Sequence, residues 1–259
     1  MKKIADKIFK SLIAGSLCMS ACMATSCQPS ARETAVTWND TMQLPPAPGD
    51  SFNIGVAGAF AGICGKTLMV AGGANFPDGF PWTGAKKVWH RTLYSYDFSI
   101  EKWSVYPDFL PEPLAYGVSI PQPEGIMLIG GNNADGGSRA VYMLSEKDGR
   151  PELSSDIYPE LPFPLANSAG ALVGTKVFLA GGICSDSVEC ASHAFVMLDT
   201  ERKEAGWQIL PPWPGPELGF SVAAAAGGKF YMFGGRNFGP GKEIEISTAG
   251  FVYDPASGE

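Results

Sequence analysis

Four times the chain runs an apolar strand into a pair of glycines: Leu68-Met-Val-Ala-Gly-Gly73, Ile126-Met-Leu-Ile-Gly-Gly131, Val177-Phe-Leu-Ala-Gly-Gly182 and Phe230-Tyr-Met-Phe-Gly-Gly235. Successive pairs lie 58, 51 and 53 residues apart. A period of that size marks a repeated supersecondary unit whose copies bury each other's faces. Each pair is preceded by a run of small residues: Gly55-Val-Ala-Gly-Ala-Phe-Ala61, Ala115-Tyr-Gly-Val-Ser119, Ser168-Ala-Gly-Ala-Leu-Val173 and Ser221-Val-Ala-Ala-Ala-Ala226. Each is followed by an aromatic or apolar run: Leu93-Tyr-Ser-Tyr-Asp97, Val141-Tyr-Met-Leu144, Phe195-Val-Met-Leu-Asp199 and Phe251-Val-Tyr-Asp254. Trp103 and Trp207 open a fourth strand in the first and third repeats, and the second repeat has no such Trp.

Small residues first and large ones later fit strands that converge on an axis, where the innermost strand has little room and the outer ones have more. The chain is therefore predicted to be all-β, a propeller of four-stranded blades, four of them readable. Composition agrees. Gly 32 and Pro 21 with only 17% charged residues suit short strands joined by tight turns, and 45% hydrophobic residues supply a core. A net charge of −7 argues against a grip on phosphate backbones, so no nucleic-acid partner is expected.

The N-terminus reads as a targeting segment. Lys2, Lys3, Lys7 and Lys10 form a basic region, and Ser11 to Ala24 is apolar and rich in small residues. Cys27 follows Ala24, Thr25 and Ser26 in the manner of a bacterial lipidation cysteine. Cys22 is a second choice, and an ordinary cleaved signal is the alternative. The expected organisation is a signal peptide at 1–27, a short tether at 28–35 and the propeller at 36–259. The protein is expected to be exported, to the periplasm or as a membrane-anchored lipoprotein, with an N-terminal lipid as its one membrane contact.

Export permits disulfides. Cys184 and Cys190 share one loop and are expected to pair, while Cys64 reads as a small buried hydrophobe. No His, Tyr and Cys combination suggests a metal, so neither metal nor cofactor is expected.

In a four-stranded meander, the loops after the second strand and the links between blades open on one face. Here these are long, Ala74 to Thr92 and Asn132 to Ala140, whereas opposite turns such as Gly65-Lys66 are short. Long loops on a rigid scaffold carry binding, so this face is the candidate site. Asn75, Lys86, Lys87, His90, Arg91, Asn133, Arg139, Arg236 and Asn237 all lie there.

From Trp38 to Glu259 the chain resembles the Kelch repeat family. More narrowly, Gly55 to Ile63, Ala71-Gly-Gly-Ala-Asn-Phe76, Gly84-Ala-Lys-Lys87 and Ala115 to Ser119 resemble the bacterial N-acetylneuraminate epimerases, also called sialic acid mutarotases, and their cyclically permuted relatives. The resemblance implies a six-bladed periplasmic propeller that interconverts the α and β anomers of N-acetylneuraminate. Thr37-Trp38 running to Leu44-Pro-Pro-Ala-Pro48 reads as an isolated fourth strand. Together with the C-terminal third strand at Phe251 to Asp254, it suggests a permuted, C-terminally truncated ring.

Mutarotation takes a proton from the anomeric hydroxyl and gives one to the ring oxygen. The substrate is also a carboxylate, which the planar guanidinium fork suits. The resemblance thus makes Arg91, Arg139 and Arg236 anion-binding candidates, with Asn75, Lys86, Asn133 and Asn237 as further substrate contacts. His90 and Arg91 are the catalytic candidates. The family pattern has a glutamate before the Gly-x-Lys-Lys run, and this chain departs from it with Thr83, which cannot act as a base at neutral pH. Two functions follow: a sugar-anomer isomerase, or a non-catalytic carbohydrate- or protein-binding propeller.

Overall fold

A computed structural model describes residue 37 and residues 42–184 and 189–259. The predicted signal peptide with Cys22 and Cys27, the tether, and Trp38 lie outside the described residues, as do 185–188. Residues 43–259 form one compact unit.

Blade 1 comprises β1 (Phe60–Cys64) and β2 (Thr67–Ala71), a two-stranded ribbon of β3 (Ala74–Asn75) and β4 (Val88–Trp89), then β5 (Leu93–Asp97) and β6 (Lys102–Tyr106). Blade 2 comprises β7 (Val118–Gln122), β8 (Gly125–Ile129), β9 (Val141–Lys147) and β10 (Arg150–Ser154). Blade 3 comprises β11 (Ala169–Val173), β12 (Lys176–Ala180), β13 (Phe195–Asp199) and β14 (Gln208–Ile209). Blade 4 comprises β15 (Val222–Ala226), β16 (Lys229–Phe233), a ribbon of β17 (Arg236–Asn237) and β18 (Glu245–Ile246), and β19 (Gly250–Tyr253). The blades are antiparallel meanders of four, four, four and three strands.

The third strands fall where the apolar runs placed them. The first strands of blades 1 and 2 begin later than predicted, at Phe60 and Val118 rather than Gly55 and Ala115. Residues 55–59 and 115–117 are instead inner turns, because Ala57 bridges Ala74 and Ala115 bridges Asn132 there. Pro121 is tolerated inside β7 because β7 is the inner edge of its sheet and has one strand neighbour, β8.

Large apolar side chains of adjacent blades interleave to form the core. Phe60, Met69 and Leu93 pack with Ile126, Leu128 and Leu144; Val118, Ile120 and Ile129 with Val177, Leu179 and Val196; Phe178, Phe195 and Met197 with Phe230 and Met232. Each such side chain contributes roughly 1.5–3 kcal/mol by leaving water. β8 and β13 are covered on both faces and every residue in them is buried, so their alternation disappears. In blade 4, Ala223, Met232 and Phe251 pack toward blade 3, while Val222, Phe233 and Val252 on the opposite face are exposed. Trp207 does more than fill space: its Nε1 donates to the Pro159 carbonyl at 3.0 Å, tying the outer edge of blade 3 to the preceding link.

Candidate functional site

One backbone device is repeated at the inner end of every blade on the long-loop face. Gly58, Tyr116, Asn167 and Phe220 all have positive φ, between 53° and 64°. Their peptides form a chain from blade to blade: Tyr116 N donates to Gly58 O at 2.7 Å, Asn167 N to Tyr116 O at 2.7 Å and Phe220 N to Asn167 O at 2.9 Å. These positions recur with the spacing of the glycine pairs. Non-glycine residues rarely adopt this conformation, so three of them in a hydrogen-bonded series mark an over-determined region.

Two cations rest on the aromatic members of this series. Arg236 opens β17, and its guanidinium carbon lies 4.1 Å from the Phe220 ring centre and 5.1 Å from that of Phe238. Its Nε is buried without a hydrogen-bond partner, as is Oδ1 of the adjacent Asn237. Lys87 stands just before β4 with its ammonium 4.9 Å from the Tyr116 ring centre, 5.4 Å from Trp89 and 5.8 Å from Phe76. Neither cation has a carboxylate within ion-pair distance among the described residues. Trp89 is itself fixed by donating Nε1 to Oδ1 of Asn132 at 3.2 Å. Cation–aromatic stacking holds a charge in place without neutralising it, so both groups keep their attraction for an anion.

The other two candidate arginines are engaged elsewhere. Arg91 Nε donates to Leu110 O and Arg139 Nε to Leu161 O, both at 2.7 Å. Each also approaches a carboxylate of the same link, Asp108 at 3.8 Å and Glu160 at 3.9 Å. They are repeat-equivalent clamps: the Leu110 and Leu161 amides return bonds to the Arg91 and Arg139 carbonyls. In blade 3 His193 does the same work, its Nε2 meeting Gly215 O at 2.8 Å. Lys86 is exposed and Lys87, its neighbour, is the lysine that enters the aromatic cluster.

Asn133 donates to Oε2 of Glu112 at 3.1 Å, and Ser138 Oγ donates to Oε1 of the same carboxylate at 3.2 Å. Asn75 and His90, the corresponding pair in blade 1, bond to each other at 2.8 Å. Asn75 Nδ2 is committed to Gly55 O, so its Oδ1 must accept and His90 Nε2 must carry the proton. Burial lowers the His90 pKa against a weaker raising effect of Asp50, which favours neutral imidazole with Nδ1 unprotonated. His90 lines a cleft to which Arg236, Arg139 and Lys87 do not contribute. Cys184 and Cys190, expected to pair, are both free thiols in the structure.

The N-acetylneuraminate epimerase family model matches residues 11–151 and 158–259. The chain belongs to the N-acetylneuraminate epimerase family. Similar proteins bearing that name are found in Brucella melitensis biotype 1, 36% identical over 128 residues that are 46% of this chain and 32% of that protein, and in Yersinia pestis strain Pestoides F, 38% identical over 123 residues, 44% and 31% of the two chains. A relative in Salmonella arizonae is 40% identical over 110 residues, 39% of this chain and 28% of its own. The matched stretch thus spans about a third of the length of these curated relatives. The solved structure of YjhT superposes with a TM-score of 0.62 over 76% of this chain and 68% of that one, at 16% identity, which supports the propeller fold.

Within this member of the N-acetylneuraminate epimerase family, Thr83 ends a short 3-10 turn, Pro81–Thr83, at the tip of the long blade 1 loop. Its hydroxyl donates to Phe80 O at 2.7 Å and is therefore occupied locally. Beside it Phe80 and Trp82 stack with ring centres 4.7 Å apart, both exposed. The residues that sequence reasoning did not single out are Tyr116, Phe220, Phe238 and Glu112. The available signal was positional: Tyr116, Asn167 and Phe220 recur in step with the glycine pairs.

Proposed function

We propose that this chain acts outside the cytoplasm, tethered through Cys27, and that it binds N-acetylneuraminate by its carboxylate and speeds the exchange of its α and β anomers. The observation that carries this reading is Arg236, a guanidinium resting on the touching rings of Phe220 and Phe238 with no carboxylate in ion-pair range among the described residues. Such a group is short of an acceptor, and a carboxylate supplies two in the plane of the fork. Membership of the epimerase family names the carboxylate.

Anomer exchange also occurs in plain water, so the chain needs to lower the barrier rather than create the reaction. Ring opening takes the anomeric hydroxyl proton and leaves growing negative charge on the ring oxygen until that oxygen is protonated. In this proposal solvent carries the protons. Arg236 fixes the sugar acid, and the Lys87 ammonium, poised among Phe76, Trp89 and Tyr116, stabilises the developing oxyanion. Thr83 contributes no base chemistry, because a neutral hydroxyl is far too weakly basic to hold a proton at neutral pH.

A threonine rather than a carboxylate at position 83 favours a second reading, a propeller that binds the sugar acid without turning it over. One-dimensional NMR on freshly dissolved α-N-acetylneuraminate decides between them. Faster approach to anomeric equilibrium with the exported chain supports the isomerase. Saturable binding with no rate change establishes the binder, and neither effect overturns the carboxylate assignment itself.

A further inference from the structure

Blades 1 and 2 place the same cleft between a loop and the link that precedes it, and they fill it differently. The register is fixed by backbone bonds: Ala57 with Ala74 and Ala115 with Asn132, then His90 N to Gly73 O at 2.9 Å and Ser138 N to Gly131 O at 2.8 Å. In these terms Asn75 corresponds to Asn133, His90 to Ser138, Tyr94 to Tyr142 and Ile54 to Glu112. In blade 2 the Glu112 carboxylate enters the cleft and satisfies Asn133 and Ser138. In blade 1 Ile54 brings no polar group, and a cleft of about 230 Å³ stays open.

Its lining is that of a site for hydroxyl groups. Asn53 and Asn75 are tied into the wall: Asn53 Nδ2 donates to Pro45 O and to the Tyr94 hydroxyl, Gly55 N donates to Asn53 Oδ1, and Asn75 spans Gly55 and His90 with one N–H to spare. They hold the cleft in shape. Left over are the Asp50 carboxylate and His90 Nδ1 as acceptors, and the Tyr94 proton and the Thr92 hydroxyl as donors. Asp50 sits near enough to act on both His90 and Tyr94, so the cleft disfavours a second negative charge. Phe52, 68% exposed, and Pro77 supply an apolar rim. The volume lies below the roughly 300–1,000 Å³ of sites for drug-sized ligands and suits one sugar ring.

We propose that this blade 1 cleft is a binding subsite for a neutral hexopyranose, distinct from the carboxylate site at Arg236. Adjacent ring hydroxyls donate to Asp50, a third donates to His90 Nδ1, Tyr94 donates to a ring substituent, and the C–H face of the ring lies on Phe52. The chain would then engage a glycan bearing both a neutral and an acidic sugar.

The test is saturation-transfer NMR on the full exported chain with the methyl glycosides of glucose, galactose, mannose, N-acetylglucosamine and N-acetylgalactosamine. At least one should bind saturably, Asp50→Asn should weaken it about tenfold or more, and Tyr94→Phe should weaken it severalfold, since a hydrogen-bonding site discriminates by the partner it leaves unpaired. Arg236→Lys should leave glycoside binding unchanged. Thermal melts of each variant establish that it is folded. Absence of binding by every glycoside overturns the subsite, and so does binding that survives Asp50→Asn and Tyr94→Phe in folded protein. Methyl glucosaminide, a cation, is run beside them, and its binding with none by the neutral glycosides also overturns the subsite, because Asp50 would then act as a simple counter-charge. Failure of N-acetylneuraminate to bind leaves this subsite standing and sinks only the carboxylate proposal.

Discussion

A Cβ atom built on Gly130 would lie 2.3 Å from the carbonyl oxygen of Leu165, the residue whose oxygen accepts the Gly131 amide at 2.8 Å. Gly130 is therefore required by the link to the next blade as well as by its own positive φ of 62°. The same approach recurs at Gly72 with Leu114 and at Gly181 with Leu218, each at 2.3 Å. Gly234 is different: its nearest neighbour, Ser247 O, is 3.7 Å away. Gly234→Ala is expected to lose about 1–2 kcal/mol from backbone strain alone. Gly130→Ala, which adds a backbone clash, should lose about 3 kcal/mol or more. Urea unfolding of the two variants checks the order, and equal losses would show that the link carbonyl is not the constraint.

The clamp role of Arg91 and Arg139 separates stability from binding. Their ion pairs involve half-exposed side chains and contribute little in water, so the bonds to Leu110 O and Leu161 O carry most of their effect. Arg91→Ala and Arg139→Ala should each lose about 1 kcal/mol of stability. Their affinity for N-acetylneuraminate should stay within twofold of the parent chain, roughly 0.4 kcal/mol. Chemical denaturation and calorimetry on the same preparations test both halves, and a large loss of affinity in folded protein would return these arginines to the binding site.

Why these arginines read as ligand-binding candidates is instructive. A guanidinium in a long loop has the same sequence signature whether its fork meets a sugar acid or the carbonyl of the next link. The blades were legible because glycine pairs, small-residue runs and aromatic third strands repeat together, and each has one physical cause in a converging sheet. The inner series was not, since Gly58, Tyr116, Asn167 and Phe220 share a backbone conformation and no side-chain chemistry. Positive φ at Tyr116 and Phe220 is imposed by the blade-to-blade bonds, which no local pattern of residues announces. For the same reason the Lys87 ammonium, one residue from the exposed Lys86, could be separated from it only by seeing which of the two faces Tyr116.

If Arg236 orients a carboxylate, geometry should matter as much as charge. Arg236→Lys keeps the cation and discards the fork, and it should weaken N-acetylneuraminate binding about tenfold, near 1.4 kcal/mol. Phe220→Ala keeps the fork and removes its nearest support at 4.1 Å, and a loss of about 0.5–2 kcal/mol is expected. N-acetylmannosamine, which lacks the carboxylate, should show neither effect. Titration calorimetry with both sugars measures this, and an Arg236→Lys variant that binds N-acetylneuraminate as the parent does would remove Arg236 from the site.

His90 gives the chain a pH dependence whose sign follows from its surroundings. Burial lowers its pKa in the folded chain and Asp50 raises it by less, so the folded state takes up the proton less readily than the unfolded chain, whose histidine titrates near 6.5. The associated stability is present above about pH 6.5 and is lost as the pH falls from there through the lower folded value. Protonation also converts Nδ1 from an acceptor into a donor, while Nε2 stays bonded to Asn75. The blade 1 cleft should therefore lose both stability and affinity for a neutral glycoside between pH 7 and pH 5. His90→Gln should flatten the stability change over that interval, whereas His193→Gln, at a side chain bonded to Gly215 O in another blade, should leave it in place. Thermal unfolding of the parent and the two variants across this range is the measurement. A slope that persists undiminished in His90→Gln would assign the titration to another group.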